Sequence, residues 1–417
     1  MEQLKRREFI YGAGSAFAIA CGAGLSWSAC RSATVADPGS PGAAPSPPSG
    51  EPPAPAAVSA SNDTLDEALD LLKDTGPEYQ GRAANHGPMT AEALCVLGRP
   101  GSVLDWVRGY KRALRDVPAA RSPVSPTAWP EALGAHDRLG DWLVFFEHEM
   151  AESPWPAVLD TWVARLAPGL AGAAAHGIIR TGHAARSLSA RDTPLRRREL
   201  AHGLGYWAAS FQPLPSGKGA APGPSGSGSP SGPQAASPRA GITEALARVE
   251  TFHPKRPAPR GSIVDGLAAL DDWPSFAGVA DLVDTSGDVS HFLSDLTEAF
   301  AQVYLDNSAH HTITFVHAVT GPSALRLLAP HLSPETTRAA LRYAWQAPAG
   351  MYAAYGIPAR PAPPRDPVLD VSDLIDRAIR TGDEHAIKLT EACLREHTRR
   401  PSPVYLAAAR DVIERLG

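Results

Sequence analysis

The chain has 417 residues, 43% of them hydrophobic, and a net charge of −5 with its basic residues scattered. That suffices for a sizeable core and for one large domain or two ordinary ones. It lacks the concentrated basic footprint of a nucleic-acid binder, and short runs such as Arg196-Arg197-Arg198 read as solvated faces.

Lys5-Arg6-Arg7-Glu8-Phe9-Ile10 opens a basic region with a twin-arginine look, followed by small and apolar residues as far as Trp27. Residues 1–30 therefore read as an export signal or lipoprotein leader, with a plain transmembrane anchor as the alternative. Lipid attachment is open at Cys21 or Cys30, although neither has Leu three residues before it. A twin-arginine route carries proteins already folded, which suits one that takes up a cofactor before export. Residues 31–61 are mostly Pro, Ala, Gly and Ser; they bury too little to offset their ordering entropy and read as a flexible tether.

From residue 62 to 417 the expectation is one large all-α domain. In Thr64–Lys73 the residues Leu65, Ala68, Leu69, Leu71 and Leu72 fall mostly on one side, with Asp63 or Thr64 as the N-cap. Helical periodicity recurs over 89–97, 103–114, 139–150, 155–167, 170–187, 199–211, 292–304, 336–345, 371–381, 383–396 and 403–416. The best strand signal is 312–316, which could equally continue a helix. Residues 214–240 are Gly/Ser/Pro-rich and aperiodic, and read as an insertion looping out of one domain. Cys95 and Cys393 form no CxxC pair, which argues against a thiolate zinc site; a disulfide between them is compatible with export.

No Rossmann glycine fingerprint follows a strand, and there is no Walker loop, G-x-S-x-G elbow or H-E-x-x-H. What stands out is histidine among apolar or small residues. His86 sits in Asn85-His86-Gly87-Pro88-Met89 and His176 in an Ala/Leu-rich helix. His310, His311 and His317 cluster before Gly321-Pro322, and His385 precedes Lys388. Neutral imidazole is the commonest ligand for iron, zinc or copper, and such ligands need a dry, ordered pocket. One such histidine is more often a packed or surface group; several together shift the balance toward a buried metal site. His136, His148, His202, His331 and His397 have polar company and read as surface or supporting groups. His176, Arg180 and His183 share a helix face. His385 and Lys388 are helix neighbours, and the lysine could snorkel outward, bind an anion or be carboxylated; its surroundings alone favour snorkelling.

Five segments in order resemble the questin oxidase family: Asn85–Met89, His176–Arg180, Glu199–Trp207, Thr314–Gly321 and His385–Lys388. The resemblance runs from about Leu65 to the C-terminus, interrupted by 214–240. It implies an oxidoreductase that uses dioxygen to oxidise or open the ring of an aromatic, anthraquinone-like or polyketide substrate. It also implies an Fe(II) centre held by His86, His176, His317 and His385 with Lys388 carboxylated, and NADPH as an external reductant. His310 and His311 compete with His317. Arg180 and His183 are the catalytic candidates, Arg180 being suited to pair with a phenolate or carboxylate. Tyr206, Trp207 and Phe315 could stack on a flat substrate, against core packing as the plainer role. Fungal relatives tend to have a second histidine where this chain has Arg180, so the substrate face differs. The expected partners are a small aromatic molecule and dioxygen, with membrane contact only through the leader. A zinc-dependent hydrolase and a non-catalytic helical binding lipoprotein are the rival readings.

Overall fold

The computed structural model describes residues 55–79, 83–216, 239–255, 257–357 and 370–417. The leader, most of the tether and the centre of the 214–240 insertion lie outside them. Helix α1 (Pro55–Leu72) begins inside the segment expected to be tether. Its Pro-Ala-Ala start explains this, since Pro suits the first helical position and Ala is the best helix former. Asp63 and Thr64 are therefore interior rather than capping. Asp63 pairs with Arg191, and the Thr64 hydroxyl donates to the Ala60 carbonyl.

Three short strands follow that periodicity could not show: β1 (Thr75–Tyr79), β2 (Ala83–Ala84) and β3 (Leu114–Asp116), antiparallel in the order β2-β1-β3. Runs this short, the first containing Gly76 and Pro77, carry no readable alternation. Their use is positional. Asn85 donates through Nδ2 to the Gly76 carbonyl at 2.8 Å and accepts from the Gly87 amide at 2.8 Å, which fixes the entry to α2 (Gly87–Val96).

The remaining helices are α3 (Val103–Lys111), α4 (Leu139–Glu152), α5 (Trp155–Leu166), α6 (His176–Ala190), α7 (Pro194–Ala209), α8 (Ile242–Ala247), α9 (Ile263–Ala268), α10 (Val289–Leu328), α11 (Pro334–Tyr355), α12 (Val371–Thr381), α13 (Glu384–Arg399) and α14 (Pro403–Leu416). Most follow the expected series, but the short α8 and α9 were not expected and α10 extends well beyond 292–304. Helix α10 is central, packing against α6, α11, α13 and α14, while α7 lies between α4 and α6. Trp142, Trp162, Trp207 and Trp345 are fully buried in the core. Residues 312–316 continue α10 as helix, just after a kink at His311, whose φ of −137° and ψ of 52° leave the helical region. No helix among the described residues is long and apolar enough to cross a membrane.

Three expectations are corrected. The 170–187 segment is not one helix, because Ala173, Ala174 and Ala175 take φ of 46°, 55° and 65°. Such a left-handed turn costs roughly 1–2 kcal/mol per non-glycine residue. It stands next to a close tertiary approach: Gly172 lies so near the end of α7 that a Cβ there would sit 1.8 Å from the Ser210 carbonyl oxygen. Second, Cys95 and Cys393 are buried free thiols, not a disulfide. Third, Arg196 is fully buried, not solvated; it binds Asp66 and Asn62 and so ties α7 to α1.

Candidate metal centre

Four helices each deliver one histidine to a single buried point. His86 is the N-cap residue of α2, where its amide donates to the Tyr110 hydroxyl at 2.9 Å. His176 opens α6 directly after the left-handed turn, His385 lies in the first turn of α13, and His317 projects from the middle of α10. His86 Nε2 lies 2.8 Å from His176 Nε2, which lies 3.1 Å from His317 Nε2. The His385 ring centroid is 4.7 Å from that of His86 and 5.3 Å from that of His317. Of the three neighbouring histidines His317 is the one in the cluster, whereas His310 is exposed and His311 packs against Tyr355.

The rings are oriented from outside. His176 Nδ1 donates to the Ala173 carbonyl at 2.5 Å, so its Nε2 presents a lone pair inward. The strained turn is thus what carries the acceptor to that ring. His385 Nδ1 faces the Asp383 carboxylate at 3.5 Å, while its Nε2 is buried without a partner. A carboxylate behind an inward-facing imidazole is the usual support of a metal ligand. Among the candidate groups, ligand atoms of His86, His176 and His385 all lie within 4.8 Å of one another. One lone pair on His176 cannot serve both neighbouring Nε2 atoms and the orphaned His385 as well. A cation coordinated by all of them can. The residues fit a metal.

The electrostatics agree with neutral ligands. Burial, then the charge of Lys388 and the other rings, holds His86 well below the usual histidine range. Burial and Lys388 push His176 down to about 3. Burial, His176 and His385 hold His317 well below the usual range. Burial also pushes Lys388 down to about 8, against Glu384 and Asp383.

Lys388 corrects the snorkelling expectation. It is 2% exposed, with Nζ 2.9 Å from His86 Nδ1. As an ammonium it donates to Nδ1, which leaves the ring proton on Nε2 and blocks that nitrogen. As a neutral amine, or through the oxygens of a carboxylated one, it accepts from Nδ1–H and frees Nε2 to ligate.

Arg180 and His183 follow His176 along α6 but turn to other partners. Arg180 makes a bidentate pair with Glu199 (2.6 and 2.7 Å), leaving Nη1 unpartnered. His183 Nδ1 lies 2.7 Å from Glu92 Oε2. Both line shallow clefts barely wide enough for water: Arg180 one with Lys73, Glu199 and His202, and His183 one that shares Leu69 and Glu199. Tyr206, Trp207 and Phe315 are at most 2% exposed and line neither cleft. Trp207 packs on Gly177, where a Cβ would come within 2.5 Å of it. His202, also buried, contacts Glu147 at 3.1 Å. Sequence reasoning missed Asp383, Tyr110, the Ala173 carbonyl and Glu92. Only Asp383 left a signal, as a helix N-cap two residues before His385.

Comparison with known families places residues 83–393, more than half the chain, within the model of the questin oxidase-like family. No curated protein matches the chain.

Proposed function

The chain belongs to the questin oxidase-like family, and from that premise we propose that it is an oxidoreductase that uses dioxygen at a non-haem iron centre to oxidise or cleave the ring of an aromatic substrate. The observation that carries this reading is the convergence of His86, His176, His317 and His385, with the unpartnered Nε2 of His385 aimed at no protein group. These four would hold the metal, with Lys388 beside them. Iron bound there would supply redox chemistry and an open coordination position. The protein's own part is ligation, orientation and exclusion of water. The Ala173 carbonyl sets the tautomer of His176, the Asp383 carboxylate stands behind His385, and burial keeps His86, His176 and His317 neutral. Arg180, one turn along α6 from His176, has an unpartnered Nη1 suited to donate to a phenolate or carboxylate.

Protein purified without air and reconstituted with Fe(II) should retain iron; less than about a tenth of an equivalent would sink the reading. Replacing His385 or Lys388 by Ala should abolish retention, whereas His397→Ala should not, since His397 bonds only the Ser402 backbone. An all-nitrogen donor set also suits zinc and a hydrolase. Oxygen uptake with an anthraquinone-type phenol, with and without NADPH, separates the two. Export through residues 1–30 belongs to the proposal as well; cell fractionation of an Arg6→Lys/Arg7→Lys variant tests it.

A further inference from the structure

On the same four helices runs a second assembly, of buried carboxylates and partly buried guanidinium groups, that the proposed chemistry does not use. From His183 it passes to Glu92 at 2.7 Å, then to Arg186, whose Nε and Nη2 grip both Glu92 oxygens at 2.7 and 2.6 Å. Arg186 Nη1 reaches Glu391 at 2.5 Å. Glu391 accepts from Arg395 at 3.0 Å, Arg395 reaches Glu396 at 3.2 Å, and Glu396 accepts from Arg326 at 2.9 Å. Arg395 also donates to the Ser323 carbonyl at 3.0 Å. The charges alternate, three carboxylates against three guanidinium groups, so the chain is neutral when His183 is neutral.

Its path is informative. Glu92 is on α2 with His86, His183 and Arg186 are on α6 with His176, Glu391 and Glu396 are on α13 with His385, and Arg326 is on α10 with His317. Each ligand-bearing helix is thus clamped to the next beyond its ligand. Buried ion pairs add little net stability over apolar side chains of the same shape, so a chain of them is a poor device for stability and a good one for position. Arg186 is the keystone, because a planar fork can grip one carboxylate with two N–H groups and a second with another, and an ammonium cannot.

We propose that this ion chain, centred on Arg186, is a positioning device that holds the four histidines at ligating distance. The inference rests on the metal reading above. Its test is anaerobic Fe(II) titration of chelator-stripped full-length protein against a competing chelator, with thermal unfolding measured in parallel. Arg186→Lys keeps the charge and loses the fork; it should weaken Fe(II) binding on the order of 10–100-fold while unfolding cooperatively. The apolar pair Glu92→Leu/Arg186→Met, which keeps the charge balance and leaves Glu391 paired with Arg395, should fold nearly as stably as wild type yet show the same weakening, which a merely structural role would not produce. If every folded variant binds Fe(II) within about twofold of wild type, the positioning role is overturned. If wild type itself takes up no metal, the metal reading falls first and this inference with it.

Discussion

Lowering pH should strip stability from the metal-free protein well before its carboxylates titrate. Each of His86, His176 and His317 is neutral in the fold because burial and its neighbours depress its pKa. Above the unfolded value of 6.5 neither state binds the proton, and the contribution is intact. As pH falls through 6.5 the unfolded chain takes up a proton that the fold refuses, so stability falls until the folded value, about 3 for His176, is reached. Between pH 7 and pH 5, His176 alone should cost about 2 kcal/mol, a large share of a typical stability of ~5–15 kcal/mol. His86 and His317 act in the same direction. Lys388 does not contribute in this window: with a folded value of about 8 against 10.5, its loss falls between those two and is complete below them. The assay is urea unfolding in the presence of chelator at the two pH values, for wild type and His176→Gln. His183 and His202 are also depressed by burial, so only the variant isolates the cluster. The glutamine variant should show a pH difference smaller by about 2 kcal/mol. Equal differences in the two proteins would refute the reasoning.

Other outcomes follow from packing and pairing. Ala174→Gly should raise thermal stability slightly, since relief of a left-handed cost of roughly 1–2 kcal/mol outweighs the ~0.5–1 kcal/mol of extra unfolded-state entropy; a fall in Tm would contradict the strain. Gly177→Ala should cost at least ~1–3 kcal/mol, because the new Cβ meets Trp207 at 2.5 Å, and should also loosen metal by moving α6. Unfolding curves with metal analysis check both effects. Glu199→Ala strands a buried guanidinium and should cost about 3–5 kcal/mol, much of it recovered in Arg180→Met/Glu199→Leu. A double-mutant cycle with no coupling would show that the pair is incidental.

Most helices, and a set of histidine candidates that the family resemblance narrowed to His86, His176, His317 and His385, were legible without coordinates. Apolar periodicity is a local property, and histidine among small apolar residues is a chemical contrast that survives without a fold. The ordered motifs around His86, His176, Arg180, His317 and His385 were enough to indicate the family. What could not be read is whatever depends on a partner far along the chain. The alanines at 173–175 are individually strong helix formers, yet they are left-handed beside the close approach of Gly172 to Ser210, and the Ala173 carbonyl there accepts from His176. Lys388 and Arg196 looked like surface charge because charge is normally solvated. Lys388 is buried against His86, and Arg196 against Asp66 and Asn62, each partner more than a hundred positions away. Glu92 and Arg186 gave no local sign for the same reason. That His86, His176, His317 and His385 meet at one point is decided by tertiary structure alone, because convergence is a condition on distances that only the packed helices set.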